Sequence, residues 1–427
     1  MLGPDPHTLS MPVTEDAHCG AFVRSLLVER WGTPADPAAV ADLAAAAKGA
    51  IVFVAVHHGN FPTLESMAAA LRAVGRRVVA IYLHGAPPPD TFTAAMTCDG
   101  SLARLADVIT ALPGDTIYLQ AHGRWAFLGQ FLAAVRPGLR VVAEVWDWMD
   151  AFVEPGREAA FVEDGLFTAP ELAMIRISER WIRTRSAGFV HKQGGAALDA
   201  VVADACVPEV RILPCPPRAW IRPANDAARD RSGPWRLVHA GQIKPSTSSR
   251  RVFGDLHVLP LFAALTGQGM RVTAYAGAMA GPLETALHEY VAHARSDPRF
   301  RLEPRQPFEA LVAAMHGHHD FGLLLYPFDD DLAVGRRHLR TALASKLFAY
   351  VAAGLPILVS PELGYMAEFV RARGLGLVVP RHELSSLART LDGVDYPALC
   401  AAVSRAQPEL CIETQLPAVL RLLEGTP

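Results

Sequence analysis

Apolar residues along this chain fall into short unbroken runs, separated by stretches in which they recur at helical period. Residues 51–56 (IVFVAV), 77–83, 116–119, 140–145, 188–191 and 210–213 read as strands, the most apolar of them buried on both faces. Between them, Leu64, Met67, Ala68 and Leu71 give one face of a helix running from Pro62 to about Val74. Further helices are predicted near 101–111, 125–135, 170–185 and 195–202, and two more, 17–31 and 37–48, precede the first strand. The alternation starts afresh at 235–240. A helix then runs to about residue 265, followed by a strand at 271–276, helices near 283–294 and 308–315, a strand opening at Phe321, and strands at 355–359 and 374–379. Strands that alternate with helices pair in parallel through right-handed crossovers.

Residues 216–234, PPRAWIRPANDAARDRSGP, are proline-rich, polar and without period, the composition of a linker. The predicted fold is therefore α/β, with two Rossmann-like doubly wound domains. The expected division is a helical extension over 1–48, a first domain over 49–217, a linker over 218–234, a second domain over 235–405 and a C-terminal helix over 406–427. In such sheets ligands lie beyond the carboxyl ends of the strands, so the loops at those ends carry the candidate chemistry.

The densest of these loops lies in 321–360, FGLLLYPFDDDLAVGRRHLRTALASKLFAYVAAGLPILVS. Thr341 is the expected N-cap of a helix, Gly354 its C-terminal glycine, and Pro356 prevents continuation. Arg336, Arg337, His338 and Arg340 come just before that helix, and Lys346 lies in its first turns. Cations at a helix N-terminus oppose the macrodipole by about 0.3–1 kcal/mol each, so the cluster points to an anion held among them. The other reading is that Asp329, Asp330 and Asp331 neutralise the arginines in a solvated loop. A second basic loop, GQIKPSTSSRR, follows strand 235–240. There Gly241 permits close backbone approach, and Lys244, Arg250 and Arg251 are candidates for a pyrophosphate.

The text SKLFAYVAAGLPILVS resembles the donor-site helix of the GT-B fold glycosyltransferases, in particular the bacterial group 1-like members. Their usual pattern runs close to S-K-x-x-E-Y-x-A-x-G-x-P-V-I. Ser345, Lys346, Tyr350, Ala352, Gly354 and Pro356 match in register. The family's ribose-binding glutamate falls on Ala349, and the earlier glutamate of some relatives falls on Thr341, so neither carboxylate is present. The resemblance implies two such domains facing each other across a cleft, and transfer of a sugar from a nucleoside diphosphate donor to a hydroxyl acceptor, in glycan or glycoconjugate biosynthesis. It places Gly241, Lys244, Arg250, Arg251, His338, Arg340, Ser345 and Lys346 on the donor side. His58, Gly59 and Asn60, after the first strand, become acceptor-side residues, and His122 and Asp147, after later strands, become candidates for catalysis. A histidine of ordinary pKa or a carboxylate can accept a hydroxyl proton. No metal or other cofactor is expected, because cations in the second domain would meet the departing diphosphate. With both glutamates missing, a catalytically silent module that binds a nucleotide, glycan or protein stays open, as does a sugar-nucleotide epimerase on the same fold.

Composition narrows the rest. The chain has 427 residues, 51% hydrophobic and 19% charged, with a formal net charge of −3, which describes a globular protein and gives no reason to expect nucleic acid. Six scattered cysteines without a C-x-x-C pair suit free thiols in a reducing compartment. No apolar run reaches the ~18 residues of a membrane span, and residues 1–18 lack the pattern of a secretory signal, so the expected location is the cytoplasm. Arg176, Arg180, Arg183 and Arg185 on the predicted 170–185 helix form either a solvated face or a peripheral contact with the inner membrane or a lipid-linked acceptor. His316, His318, His319 and Asp320 have crude metal-ligand spacing but precede a strand, at the end opposite the expected site.

Overall fold

The computed structural model describes residues 17–57, 63–85, 87, 90–120, 122–223, 233–276, 282–328 and 332–425, without the side chains of 17–20, 22, 23 and 26. The acceptor-side candidates His58, Gly59 and Asn60 lie outside the described residues, as do Asp329, Asp330 and Asp331 and the stretch 224–232 of the expected linker.

Among the described residues the chain divides into two compact units. One falls within Met1–Gln193, Ala197–Leu213 and Ile412–Pro427, the other within Gly194–Ala196 and Pro214–Cys411. The first unit holds strands β1 (Ile51–His57), β2 (Val78–His84), β3 (Ala94–Thr97), β4 (Thr116–Gln120), β5 (Arg140–Val145), β6 (Gly188–His191) and β7 (Glu209–Arg211), in the order β3-β2-β1-β4-β5-β6-β7. The second holds β8 (Arg236–Ala240), β9 (Arg271–Ala276), β10 (Phe300–Pro304), β11 (Phe321–Leu324), β12 (Ile357–Val359) and β13 (Gly376–Val378), in the order β10-β9-β8-β11-β12-β13. Neighbouring strands in both sheets pair in parallel. Each sheet reverses its winding beside its first strand, so each has a switch point: between β1 and β4 in one, between β8 and β11 in the other.

The apolar runs supply the cores. Phe53, Tyr118 and Val142 from the first sheet pack with Leu64, Met67 and Leu71 of the Thr63–Ala73 helix. Leu416, Val419 and Leu422 of the Leu416–Glu424 helix join the same core, so the end of the chain packs with the first unit. In the second unit Phe262, Tyr290, Phe300, Phe321 and Leu323 form the centre. Burying each such side chain contributes about 1.5–3 kcal/mol, which is what holds strands this short in place.

Three differences from the predicted elements have local causes. Residues 195–202 form turns rather than a helix. There Gly195 takes φ +85°, a conformation a helix does not use, and the Gly194 amide donates to the Thr341 carbonyl at 3.0 Å. The 125–135 helix begins instead as a single 3₁₀ turn, Gly123–Trp125, followed by Leu128–Val135. β3 and β10 are additional edge strands whose sequences, AAMT and FRLEP, are short and mostly half-buried or exposed. The basic helix, Ala169–Arg185, is not an open cationic stripe. Arg176 pairs with Asp150 (3.0 Å) and Glu158 (2.9 Å), and Arg183 with Asp204 (2.5 Å), leaving Arg180 and Arg185 exposed.

No helix among the described residues is long and apolar enough to cross a membrane. At the amino end of the second sheet Asp320 is committed to Arg236 (2.8 Å), and the His316 ring meets the Ala353 carbonyl (3.2 Å). Among the described residues Cys98, Cys206, Cys215, Cys400 and Cys411 form no disulfide.

Candidate active site

The donor-side candidates gather at the carboxyl ends of β8 and β11. The helix after β11 is Ser345–Ala352, shorter than predicted, and Gly354 ends it at φ +77°, where only glycine is unstrained. Thr341 does not cap it. Thr341 closes a separate short helix, Arg336–Thr341, and its buried hydroxyl donates back to the Arg337 carbonyl at 2.9 Å. Ala342 and Ala344 are extended, and Ala344 occupies the cap of the Ser345 helix with no side-chain hydrogen bond. The reason is local: a helical threonine four residues after a carbonyl prefers that bond, which removes its hydroxyl from any cap. Arg336, Arg337, His338 and Arg340 therefore ride on their own helix; Arg336 and Arg340 are exposed.

Lys346 is the cation that the fold places inward. Its ammonium donates to the Tyr326 hydroxyl at 2.5 Å and lies 5.2 Å from the centre of that ring. Desolvation lowers its pKa to about 8, with the Asp255 carboxylate opposing the shift. Burial likewise raises Asp255 to about 6. Gly241, directly after β8, has φ +137°, and a β-carbon there would stand 2.8 Å from the Lys346 ammonium. Two residues 105 positions apart in the chain thus share one small space, and glycine is what lets the lysine reach it.

Tyr350, one turn along the same helix, fixes this arrangement. Its hydroxyl accepts from the Ala240 amide (2.9 Å) and donates to the Leu323 carbonyl (3.0 Å), tying together the ends of β8 and β11. Its ring lies where a side chain on Gly322 would be, so that glycine is required as well. His239, fully buried at the end of β8, is held well below the usual histidine pKa by desolvation and by Lys346. Lys244 sits 4.5 Å over the Phe253 ring, and desolvation lowers its pKa. Its amide donates to the Leu256 carbonyl at 3.0 Å, which pins its loop to the turn that carries Asp255. Arg250 and Arg251 stand exposed on the one-turn helix Arg250–Phe253. Ala349 is 1% exposed and Thr341 0%, so the positions matching the family's two glutamates are both packed in the interior.

At the strand ends of the first unit the chemistry is different. His122 follows β4, and burial pushes its pKa down to about 4, Asp147 raising it while Lys192 and His57 lower it. Asp147 lies 3.4 Å from the Lys192 ammonium, which itself lies 4.4 Å from the centre of the Trp146 ring. Beneath them Glu144 is buried; desolvation raises its pKa, and bonds from the Thr63 hydroxyl (2.6 Å), Gln120 Nε2 (2.7 Å) and Trp146 Nε1 (3.0 Å) oppose that. His57 and His84, at the ends of β1 and β2, stack at 5.0 Å, both lowered by desolvation. Sequence reasoning named His122 and Asp147 but missed Glu144 and Lys192. A carboxylate inside the apolar run VVAEVW was the one available signal for them.

Residues 279–412 match the family model described as glucosyltransferase 3-like, C-terminal domain. That span includes Lys346, Tyr350 and the Arg336–Thr341 helix, but less than half of the chain. Comparison with the curated proteins gave no match. Among solved structures, HepE of Anabaena in complex with UDP-glucose aligns with a TM-score of 0.56 at 15% identity, covering 87% of this chain and 98% of that one. AviGT4, a glycosyltransferase involved in avilamycin A biosynthesis, aligns with a TM-score of 0.52 at 15% identity, covering 88% and 99%. The α,α-trehalose 6-phosphate synthase of Burkholderia multivorans gives 0.52 at 12%, covering 88% and 98%.

Proposed function

From the two-sheet fold of the GT-B glycosyltransferases and a glucosyltransferase 3-like C-terminal stretch, we propose that this chain transfers a sugar from a nucleoside diphosphate donor to a hydroxyl acceptor. The observation that carries the reading is the placement of Lys346. It is a desolvated cation at the switch point of the second sheet, beside a glycine with no side chain and at the start of a helix whose first amides have no side-chain cap. Such a place favours a diphosphate, and favours it more as the leaving group gains charge. In this reading the acceptor oxygen bonds the anomeric carbon while the anomeric C–O bond to the diphosphate breaks, its electron pair leaving with the diphosphate. The hydroxyl proton passes to His122 or Asp147. Lys346 and Lys244 meet the diphosphate's charge, so no metal is needed. The acceptor is a glycan, a lipid-linked hydroxyl or a protein hydroxyl, in glycan or glycoconjugate biosynthesis.

HepE binds UDP-glucose, which makes uridine nucleotides the first donors to test. Thermal shift with a panel of nucleoside diphosphates and sugar nucleotides should single out one base, since a ligand at 100 times its Kd adds about 2.7 kcal/mol. The matching sugar nucleotide with a hydroxyl acceptor should then release the nucleoside diphosphate, with chelator present or absent. A panel that leaves the melting temperature unchanged throughout would refute the reading. Binding without release would favour the second one, a silent binding module, which draws support from the interior packing of Ala349 and Thr341.

A further inference from the structure

Two tyrosines reach the strand ends of the second unit, and their hydroxyls are used differently. A phenol has one hydrogen to donate and lone pairs with which to accept. Tyr350 uses both, accepting from the Ala240 amide and donating to the Leu323 carbonyl. Tyr326 accepts one hydrogen bond, from the Lys346 ammonium at 2.5 Å. Among the described residues its own hydroxyl hydrogen meets no acceptor, and neither do the other two ammonium hydrogens. The pair thus carries three unused donor hydrogens beside Gly241, which has no side chain to fill the space.

The ring is fixed by its surroundings. Pro327 follows and favours an extended backbone at Tyr326. The Tyr326 amide donates to the Ser360 hydroxyl at 3.1 Å and the Ser360 amide to the Leu324 carbonyl at 3.0 Å, which ties the end of β11 to the end of β12. The ring lies edge-on to the His239 imidazole, 6.1 Å away at the end of β8, and tilted against Phe328 at 5.9 Å. Held on these sides, it keeps its hydroxyl at the ammonium. Three donors in one small space complement an oxyanion, whose lone pairs can take them and whose charge the ammonium meets. Resting on the sugar-transfer reading above, we propose that Tyr326 is a catalytic residue whose hydroxyl, with the Lys346 ammonium, binds the phosphoryl oxygen that leaves the sugar. As the anomeric C–O bond breaks, its electron pair stays on that oxygen, and the phenol tightens its hydrogen bond without giving up its proton. Burial raises the phenol's pKa, so it donates without ionising.

The probe is inorganic pyrophosphate, titrated by calorimetry into the full chain at neutral pH. The wild type should bind it at millimolar concentration or below, and Tyr326→Phe should weaken that Kd about tenfold or more, the worth of a hydrogen bond to a charged group. In turnover with the sugar nucleotide, the same variant should lower kcat about 10²-fold, as for loss of one oxyanion donor. Replacing Tyr326 by meta-fluorotyrosine, a stronger donor of nearly the same size, should instead tighten pyrophosphate binding, and this substitution decides the question if Tyr326→Phe fails to fold. A hydroxyl that merely parks the lysine predicts the opposite sign: Tyr326→Phe frees the ammonium, and pyrophosphate binds as well or better. That result, a wild type that takes no pyrophosphate, or a fluorotyrosine protein with unchanged affinity would overturn the proposal. Sugar transfer with an unchanged kcat in Tyr326→Phe would also overturn it and leave the functional reading in place. If Tyr326→Phe loses pyrophosphate in a protein that transfers no sugar, the anion-binding pair stands and the functional reading alone fails.

Discussion

The two sheets wind the same way, yet their carboxyl ends are furnished for different work. In the second unit the strand ends are built around a cation and a glycine: Lys346 fills the space over Gly241, and the carboxylate acting on it, Asp255, is itself pushed toward the neutral form at about 6. In the first unit the strand ends carry a neutral imidazole, a paired aspartate and a buried, thrice hydrogen-bonded glutamate. A strand end with spare positive charge is suited to hold an anion; one with balanced charge and a neutral base is suited to move a proton. Fold alone does not assign these roles, because the topology is shared. The side chains at equivalent strand ends do.

The contrast breaks most visibly at His122. Its replacement by alanine should lower kcat by about 10²–10⁴-fold with donor affinity unchanged, as for loss of a general base. With the ring's pKa near 4 in the wild type, this group should add no acid limb to the rate profile between pH 6 and 8. A variant with wild-type kcat would leave the first unit without its proposed role.

Tyr350→Phe tests whether the second unit's site depends on its staple. Two buried backbone groups, the Ala240 amide and the Leu323 carbonyl, would lose their partner, at a cost of about 1–3 kcal/mol by chemical denaturation. Unchanged stability would mean that the strand ends hold themselves.

A further effect concerns pH and sharpens the first unit's side. Glu179 is buried, accepts the Met149 amide just after Asp147 and Trp148, and has its pKa raised to about 8 by desolvation. A carboxyl raised above its unfolded value stabilises the fold fully below the unfolded pKa, and that stability is lost as pH rises through the folded one. The melting temperature should therefore decline between about pH 4.5 and 8, and Glu179→Gln should flatten that decline. An identical slope in the variant would place the pH dependence elsewhere.

Much of this was legible beforehand, and the reasons differ by residue. Gly354 and Pro356 mark a helix end by backbone geometry alone, and the structure agrees at φ +77°. Lys346 stood out because its sequence neighbours match a donor-site pattern, and the fold does bring it to Gly241. Thr341 misled, since cap preference ignores a carbonyl four residues back that bonds the same hydroxyl. The Glu144–Trp146–Lys192 set was hidden because its members come from two strands and meet only through tertiary packing. Periodicity reports which face is buried and says nothing of which polar groups meet there. The edge strands β3 and β10 escaped notice because they bury little and so need no apolar run.

The central claim is that Lys346 is a donor-site cation rather than a structural one, and paired melts at pH 7 test it most directly. A lysine whose folded pKa, about 8, lies below its unfolded value costs stability at every pH below 8, and the cost is relieved as pH rises toward 10.5. Lys346→Met should therefore melt at the same temperature as the wild type or higher without ligand, and should lose the stabilisation given by whichever nucleoside diphosphate stabilises the wild type. A variant that melts lower without ligand and keeps the wild type's full response to that nucleoside diphosphate would contradict the account.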